Sequence, residues 1–167
     1  MAGLMTRRQH TQLSLTILLV CLSVTPASVS AQDIRVAKVV QVVDGSSLVA
    51  EAKGGAKLRV RLVGIEAPQL ARGKKPAQPL AQEARDYLDR QIGGRAVRVQ
   101  VYGQDTSGRT LGVIWNGEVN VNVLMVMMGY AEVDRGEPCQ YYCAELLEGE
   151  AWARQKKMGV WSERRVQ

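Results

Sequence analysis

The sequence predicts a mainly β α+β fold of five strands and three helices in one domain. Three observations carry this prediction. Five short runs rich in Val, Ile and Leu are bounded by Gly, Asn and Asp; apolar residues recur at helical spacing in three other stretches; and the chain of 167 residues has room for one core.

The first 31 residues read as an export leader rather than as part of the fold. Arg7 and Arg8 precede the apolar run 13–24, and Val29-Ser30-Ala31 supplies the small residues of a cleavage site. About a dozen apolar residues fall short of the roughly 18 to 20 that a spanning helix needs, which favours removal over a retained anchor. Val20 ahead of Cys21 argues against a lipid-modified cysteine. Residues 32–167 then form the mature domain, with no membrane span, in the periplasm or outside the cell, as a monomer. The formal charge of the full chain is +6, and loss of Arg7 and Arg8 lowers it to +4. A modest positive charge suits polyanions without naming one. The single histidine, His10, leaves with the leader; imidazole acid–base chemistry, His-ligated metals and Ser-His or Cys-His pairs leave with it.

Strands are expected at 36–43, 47–52 and 58–63, separated by Asp44-Gly45 and Gly54-Gly55. In the third, Leu58, Val60 and Leu62 alternate with Arg59 and Arg61, which places both guanidinium groups on one face. Residues 66–79 hold three prolines, Gly73 and the basic side chains Arg72, Lys74 and Lys75, with no periodicity, and read as an exposed basic loop. Leu80, Ala84, Leu88 and Ile92 mark a helix that Gly93-Gly94 stops. Two further strands follow at 95–102 and 110–115. Asn120 suits the N-cap of a helix carrying Leu124, Met127 and Met128 into the core and ending at Gly129. A last helix is expected at 140–157, with Cys143, Leu147 and Ala151 on one stripe, and Trp161 packing its end. Cys139 and Cys143 leave two readings open, a disulfide or two partly buried free thiols. A zinc site would need more ligands.

This pattern fits a closed five-stranded barrel or a small α+β sandwich equally well. Motifs supply the further warrant. Asp44-Gly45-Ser46-Ser47, the stretch Val60-Arg61-Leu62-Val63-Gly64-Ile65-Glu66-Ala67-Pro68-Gln69, Asp105-Thr106-Ser107-Gly108-Arg109, and Val119-Asn120 through Gly129-Tyr130-Ala131 occur in order across nearly the whole mature chain. Together they resemble the staphylococcal nuclease (thermonuclease) family. That resemblance implies an OB-fold barrel with three helices, and an activity that cleaves DNA and RNA phosphodiesters with Ca²⁺ and an attacking water.

The resemblance also assigns roles. Arg61 and Arg109 take the two phosphate-gripping positions, and a guanidinium fork suits that task. Glu66 stands for a metal-binding Asp, and Ala67 offers its carbonyl. Ser46 replaces the other metal-binding Asp, and Gln69 replaces the glutamate that activates or positions water. Calcium prefers carboxylates, and an amide takes up no proton, so the metal site is weakened and activity weak or lost. Arg72, Lys74 and Lys75 fall in the family's basic loop near the nucleic-acid path, or belong to a merely solvated loop. Arg59 is either a phosphate contact or a solvated strand face, and Asp44 and Asp105 read as turn residues. The alternatives to a nuclease are a non-catalytic module binding nucleic acid or another polyanion, and an interaction domain of the cell envelope.

Overall fold

The computed structural model describes residues 33–136 and 140–162, within the unit Ala31–Gln167. The expected leader 1–31 and Cys139 lie outside the described residues.

β1 (Asp33–Asp44), β2 (Ser47–Ala52) and β3 (Lys57–Leu62) form an antiparallel meander, followed by the two-residue β4 (Ile65–Glu66) and α1 (Ala81–Ile92). β5 (Ala96–Gln104) and β6 (Thr110–Asn116) pair with each other, and β5 pairs with the first half of β1. β1 serves two partners because it is long: 33–38 faces β5, 37–44 faces β2, and register shifts after Val39 and Val42 bend it between them. β3 then runs parallel to β6, with Val60 opposite Thr110 and Leu62 opposite Gly112. That pairing closes β3-β2-β1-β5-β6 into a five-stranded mixed barrel and rules out the sandwich.

The inward residues are the β-branched and leucine positions that the alternation picks out. Val39, Leu48, Val60, Leu62, Val99 and Ile114 are fully buried and meet Ala84, Leu88 and Ile92 of α1. Each such side chain contributes about 1.5–3 kcal/mol relative to exposure. One turn is fixed by a close approach. A Cβ on Gly45 would sit 2.7 Å from the Ala67 Cβ and 2.8 Å from that of Ala84. Only glycine lets the β1–β2 turn lie against both the loop after β4 and α1.

The helices depart from expectation in informative ways. In α2 (Val121–Met127), Asn120 caps as expected, its side chain accepting from the Val123 N–H. The buried face, however, is Val121, Asn122, Met125 and Val126, whereas Met127 is exposed. Asn122 explains the rotation: it accepts from Ile114 N–H and donates to Val63 and Gly112 carbonyls, so a polar residue holds the innermost position. α3 (Cys143–Gln155) starts three residues later than the expected 140, because Tyr142 has φ 53°, which a right-handed helix excludes. Its buried face is Leu146, Gly149, Glu150 and Ala153, and not Cys143, Leu147 and Ala151. Cys143 is disulfide-bonded. Trp161, in the 3-10 turn Gly159–Trp161, is buried as expected.

Three short strands, β4 among them, escape the sequence pattern. β7 (Val119–Asn120) extends β6, and β8 (Glu132–Val133) pairs with β4, Ile65 opposite Val133 and Glu66 opposite Glu132. No helix among the described residues is long and apolar enough to cross a membrane.

Candidate nucleic-acid interface

A concavity of about 550 Å³ opens between the β1–β2 turn, the outer face of β3, the loop after β4 and the start of β6. Strand alternation delivers its floor. Val60 and Leu62 point into the barrel, so Arg59 and Arg61 point out. The parallel register Val60↔Thr110 brings Arg109, the residue before Thr110, alongside the same strand. Arg72 reaches the concavity from the basic loop.

That loop is more ordered than its composition predicts. Gln69 N–H donates to the Gln78 side chain at 2.7 Å, and Gln78 N–H returns a bond to the Gln69 carbonyl at 2.9 Å. Nearer the tip, Arg72 and Lys75 exchange two backbone bonds of 3.0 Å across Gly73-Lys74. Two rungs thus clip a segment that lacks periodicity. Lys74 and Lys75 stay exposed and line no part of the concavity.

The acidic side differs from the family pattern. Ser46 is buried, and both its N–H (2.8 Å) and its hydroxyl (3.2 Å) donate to Asp44 Oδ1. Among the described residues Asp44 is the only carboxylate in the lining, and those bonds make it a turn residue as expected. Ala67 and Gln69 are present; the Gln69 side chain is exposed, with no partner among the described residues. Glu66 is not in the lining. Its pairing in β4 buries Ile65 and turns Glu66 into a neighbouring concavity of about 690 Å³, beside Glu132.

Two of the four arginines are held by carboxylates. Arg109 Nε lies 2.6 Å from Asp105 Oδ2, while Asp105 Oδ1 accepts from the Ser107 and Arg109 N–H groups at 2.9 Å. The Arg109 backbone N–H is the first cause holding the Asp105 carboxyl below its ordinary range, ahead of the guanidinium. Arg61 Nη2 lies 3.4 Å from Asp134 Oδ2. Asp134 is 73 residues away, and nothing local in the sequence marks it. The side chains of Arg59 and Arg72 have no ion pair among the described residues.

Comparison with known proteins places this geometry. The family described as Staphylococcal nuclease homologue matches residues 59–163. The chain belongs to that family. It is 28% identical over 127 residues to the thermonuclease of Staphylococcus hyicus, covering 75% of each chain. The thermonuclease of Staphylococcus intermedius is 27% identical over 140 residues, covering 81% of this chain and 83% of that protein. The probable endonuclease LCL3 of Clavispora lusitaniae is 28% identical over 173 residues, covering 84% and 72% respectively.

Within this staphylococcal nuclease homologue, calcium is the ion the family implies, and the donors do not fit it. Ca²⁺ takes six to eight oxygens and favours carboxylates. The lining offers one carboxylate already accepting two bonds, the Ser46 hydroxyl donating to it, the Ser47 hydroxyl, a carboxamide and the Ala67 carbonyl, all beside four guanidinium groups. Among the described residues no three His, Cys, Asp or Glu side chains cluster to hold a metal.

Aromatic side chains are absent from the lining. Tyr102 and Tyr141, whose rings meet at 3.7 Å, line an adjoining concavity together with Arg61, and Trp115 meets Tyr142 edge-on at 5.7 Å. Burial, aided by a hydrogen bond with Tyr142, pushes the Tyr102 hydroxyl up to about 12.

Proposed function

We propose that this protein is an exported nuclease homologue whose arginine concavity grips the phosphates of nucleic acid and whose hydrolysis is weak or lost. The observation that carries the reading is the lining itself: Arg59, Arg61, Arg72 and Arg109 against the single carboxylate Asp44, with no aromatic ring. Guanidinium forks match phosphate oxygens, and a lining dominated by them, with no aromatic ring of its own, favours recognition of backbone over sequence. Arg61 and Arg109 take the phosphate, and Gln69 can accept a hydrogen bond from water. Since Gln69 takes no proton, the step normally assisted by a general base, worth about 10²–10⁴ in rate, goes unassisted. The domain responsible is 32–167, delivered to the periplasm or outside by the leader 1–31 and acting as a monomer.

A second reading, an envelope interaction domain with a relic site, draws support from the Asp105–Arg109 and Asp134–Arg61 pairs. The uncompensated Arg59 and Arg72 weigh against it.

The test is cleavage of single-stranded DNA in millimolar Ca²⁺ by wild type, Arg109→Ala, and the double variant Ser46→Asp with Gln69→Glu. The double variant is expected to exceed wild type by about a hundredfold. A wild type that cleaves as fast as the double variant defeats the idea of a disabled site. Absence of both binding and cleavage defeats the assignment to nucleic acid.

A further inference from the structure

We propose that the concavity binds nucleic-acid phosphates without any divalent cation, Arg59 and Arg72 supplying positive charge where a metal ion would otherwise stand. This rests on the phosphate-binding reading above and deepens it. The argument is electrostatic. A metal-assisted phosphate site needs anions to hold the metal, and here those anions are gone: Ser46 is neutral and bonded to Asp44, Gln69 is neutral, and Glu66 opens into another concavity. A cation entering the concavity meets four guanidinium groups, two of them paired with Asp105 and Asp134, and one occupied carboxylate.

Arg59 and Arg72 complete the picture. Asp105 and Asp134 offset Arg109 and Arg61, so the concavity's surplus comes from the two arginines without ion pairs. They approach from different elements, one from the β3 face and one from the loop clipped by its Arg72 and Lys75 backbone bonds. The clip matters energetically, because a guanidinium carried on a pre-ordered loop loses less freedom on binding than one on a floppy segment. A phosphate entering between the two replaces water on both without recruiting an ion.

The experiment is fluorescence-anisotropy titration of the purified protein with a short fluorescent oligodeoxythymidylate, in EDTA and in millimolar Ca²⁺, across a salt series. Affinity is expected to agree within about twofold between the two buffers. Arg59→Ala and Arg72→Ala should each weaken it about tenfold, the scale of one charge-assisted hydrogen bond. Each should also flatten the log–log salt slope by about 0.7. Arg59→Lys and Arg72→Lys should restore the slope, which separates lost charge from lost folding. Binding seen only with Ca²⁺ overturns this proposal and leaves the phosphate-binding function standing. Binding in EDTA that ignores both alanine variants overturns it too, by placing the strand elsewhere. No binding in either buffer sinks both.

Discussion

Two clusters in this molecule combine arginine with carboxylate, and they end in opposite states. In the first, Glu150 sits in the middle of α3 with its side chain only 4% exposed, and its Oε2 lies 2.6 Å from Arg135 and 3.0 Å from Arg154. Its Oε1 accepts from the Val133 N–H at 3.0 Å. Arg154 also lies over the Trp161 ring at 4.0 Å. One carboxylate is saturated by cations that keep their outer faces in water, so the cluster ties β8, α3 and the C-terminal turn together. In the second, four arginines gather on one surface with too few acids, and the surplus faces solvent. A buried charge surrounded by donors fixes structure; an exposed excess of donors waits for an anion. The same residue types do either job, and stoichiometry decides which.

The largest effect should come from breaking the saturated cluster. Glu150→Gln keeps an acceptor for Val133 but strands Arg135 and Arg154. Loss of one partner of a buried pair costs about 3–5 kcal/mol; both arginines are about half exposed and recover hydration, so about 2 kcal/mol is expected in urea unfolding. An unchanged midpoint would show that the cluster is decoration. Acid sharpens the same point. Burial tends to raise the Glu150 carboxyl, but Arg135, the Val133 N–H and Arg154 outweigh it and hold the group below its ordinary value. A carboxyl lowered in the fold contributes stability that is complete above the unfolded value, about 4.3, and is lost as pH falls through the folded value. The gap between wild type and Glu150→Gln should therefore be constant near neutrality and close below about pH 4.

Next in size is the turn that supports the arginine floor. Gly45→Ala would drive a Cβ into those of Ala67 and Ala84, two backbone-anchored atoms that cannot swing aside. Overpacking of this kind costs about 1–3 kcal/mol, and it should lower phosphate affinity as well, since the same turn leads into Ser47, which pairs with Arg61. Equal stability of variant and wild type would mean that α1 moves freely.

The contrast between the clusters also explains what the sequence revealed. The strands were legible because Leu58, Val60 and Leu62 alternate through β3 and Val97, Val99 and Val101 through β5, and the arginine face because Arg59 and Arg61 share the first of these alternations; closure into a barrel came from the family motifs and not from the pattern. Glu150 was invisible: a hydrophobic stripe cannot announce a buried carboxylate, so the face of α3 was read as Cys143, Leu147 and Ala151 when Leu146, Glu150 and Ala153 hold it. The direction of Glu66 was equally hidden, because it is set by β8, 66 positions along the chain from its partner in β4, through a ladder too short to leave a pattern. Asp134 belongs to the same class of long-range partner. Local periodicity encodes which face a residue takes within an element; it does not encode which distant element sets the frame.

The smallest expected effect is the one that tests whether stoichiometry decides function at the arginine surface. Asp134→Asn removes the charge 3.4 Å from Arg61, at a site where both side chains are only 27% exposed, and keeps an acceptor for the Gly136 N–H that Asp134 now holds at 2.8 Å. If the concavity is an anion site held in check by its own acids, freeing Arg61 should tighten oligonucleotide binding about threefold and steepen the salt slope by about 0.7, with unfolding nearly unchanged because a partly exposed pair as long as this one is worth about 1 kcal/mol or less. Weaker binding would mean that Asp134 aims Arg61 at the phosphate instead of competing for it, and the comparison with Glu150 would then be one of degree: both carboxylates would be building structure, and the surplus on the surface would rest on Arg59 and Arg72 alone.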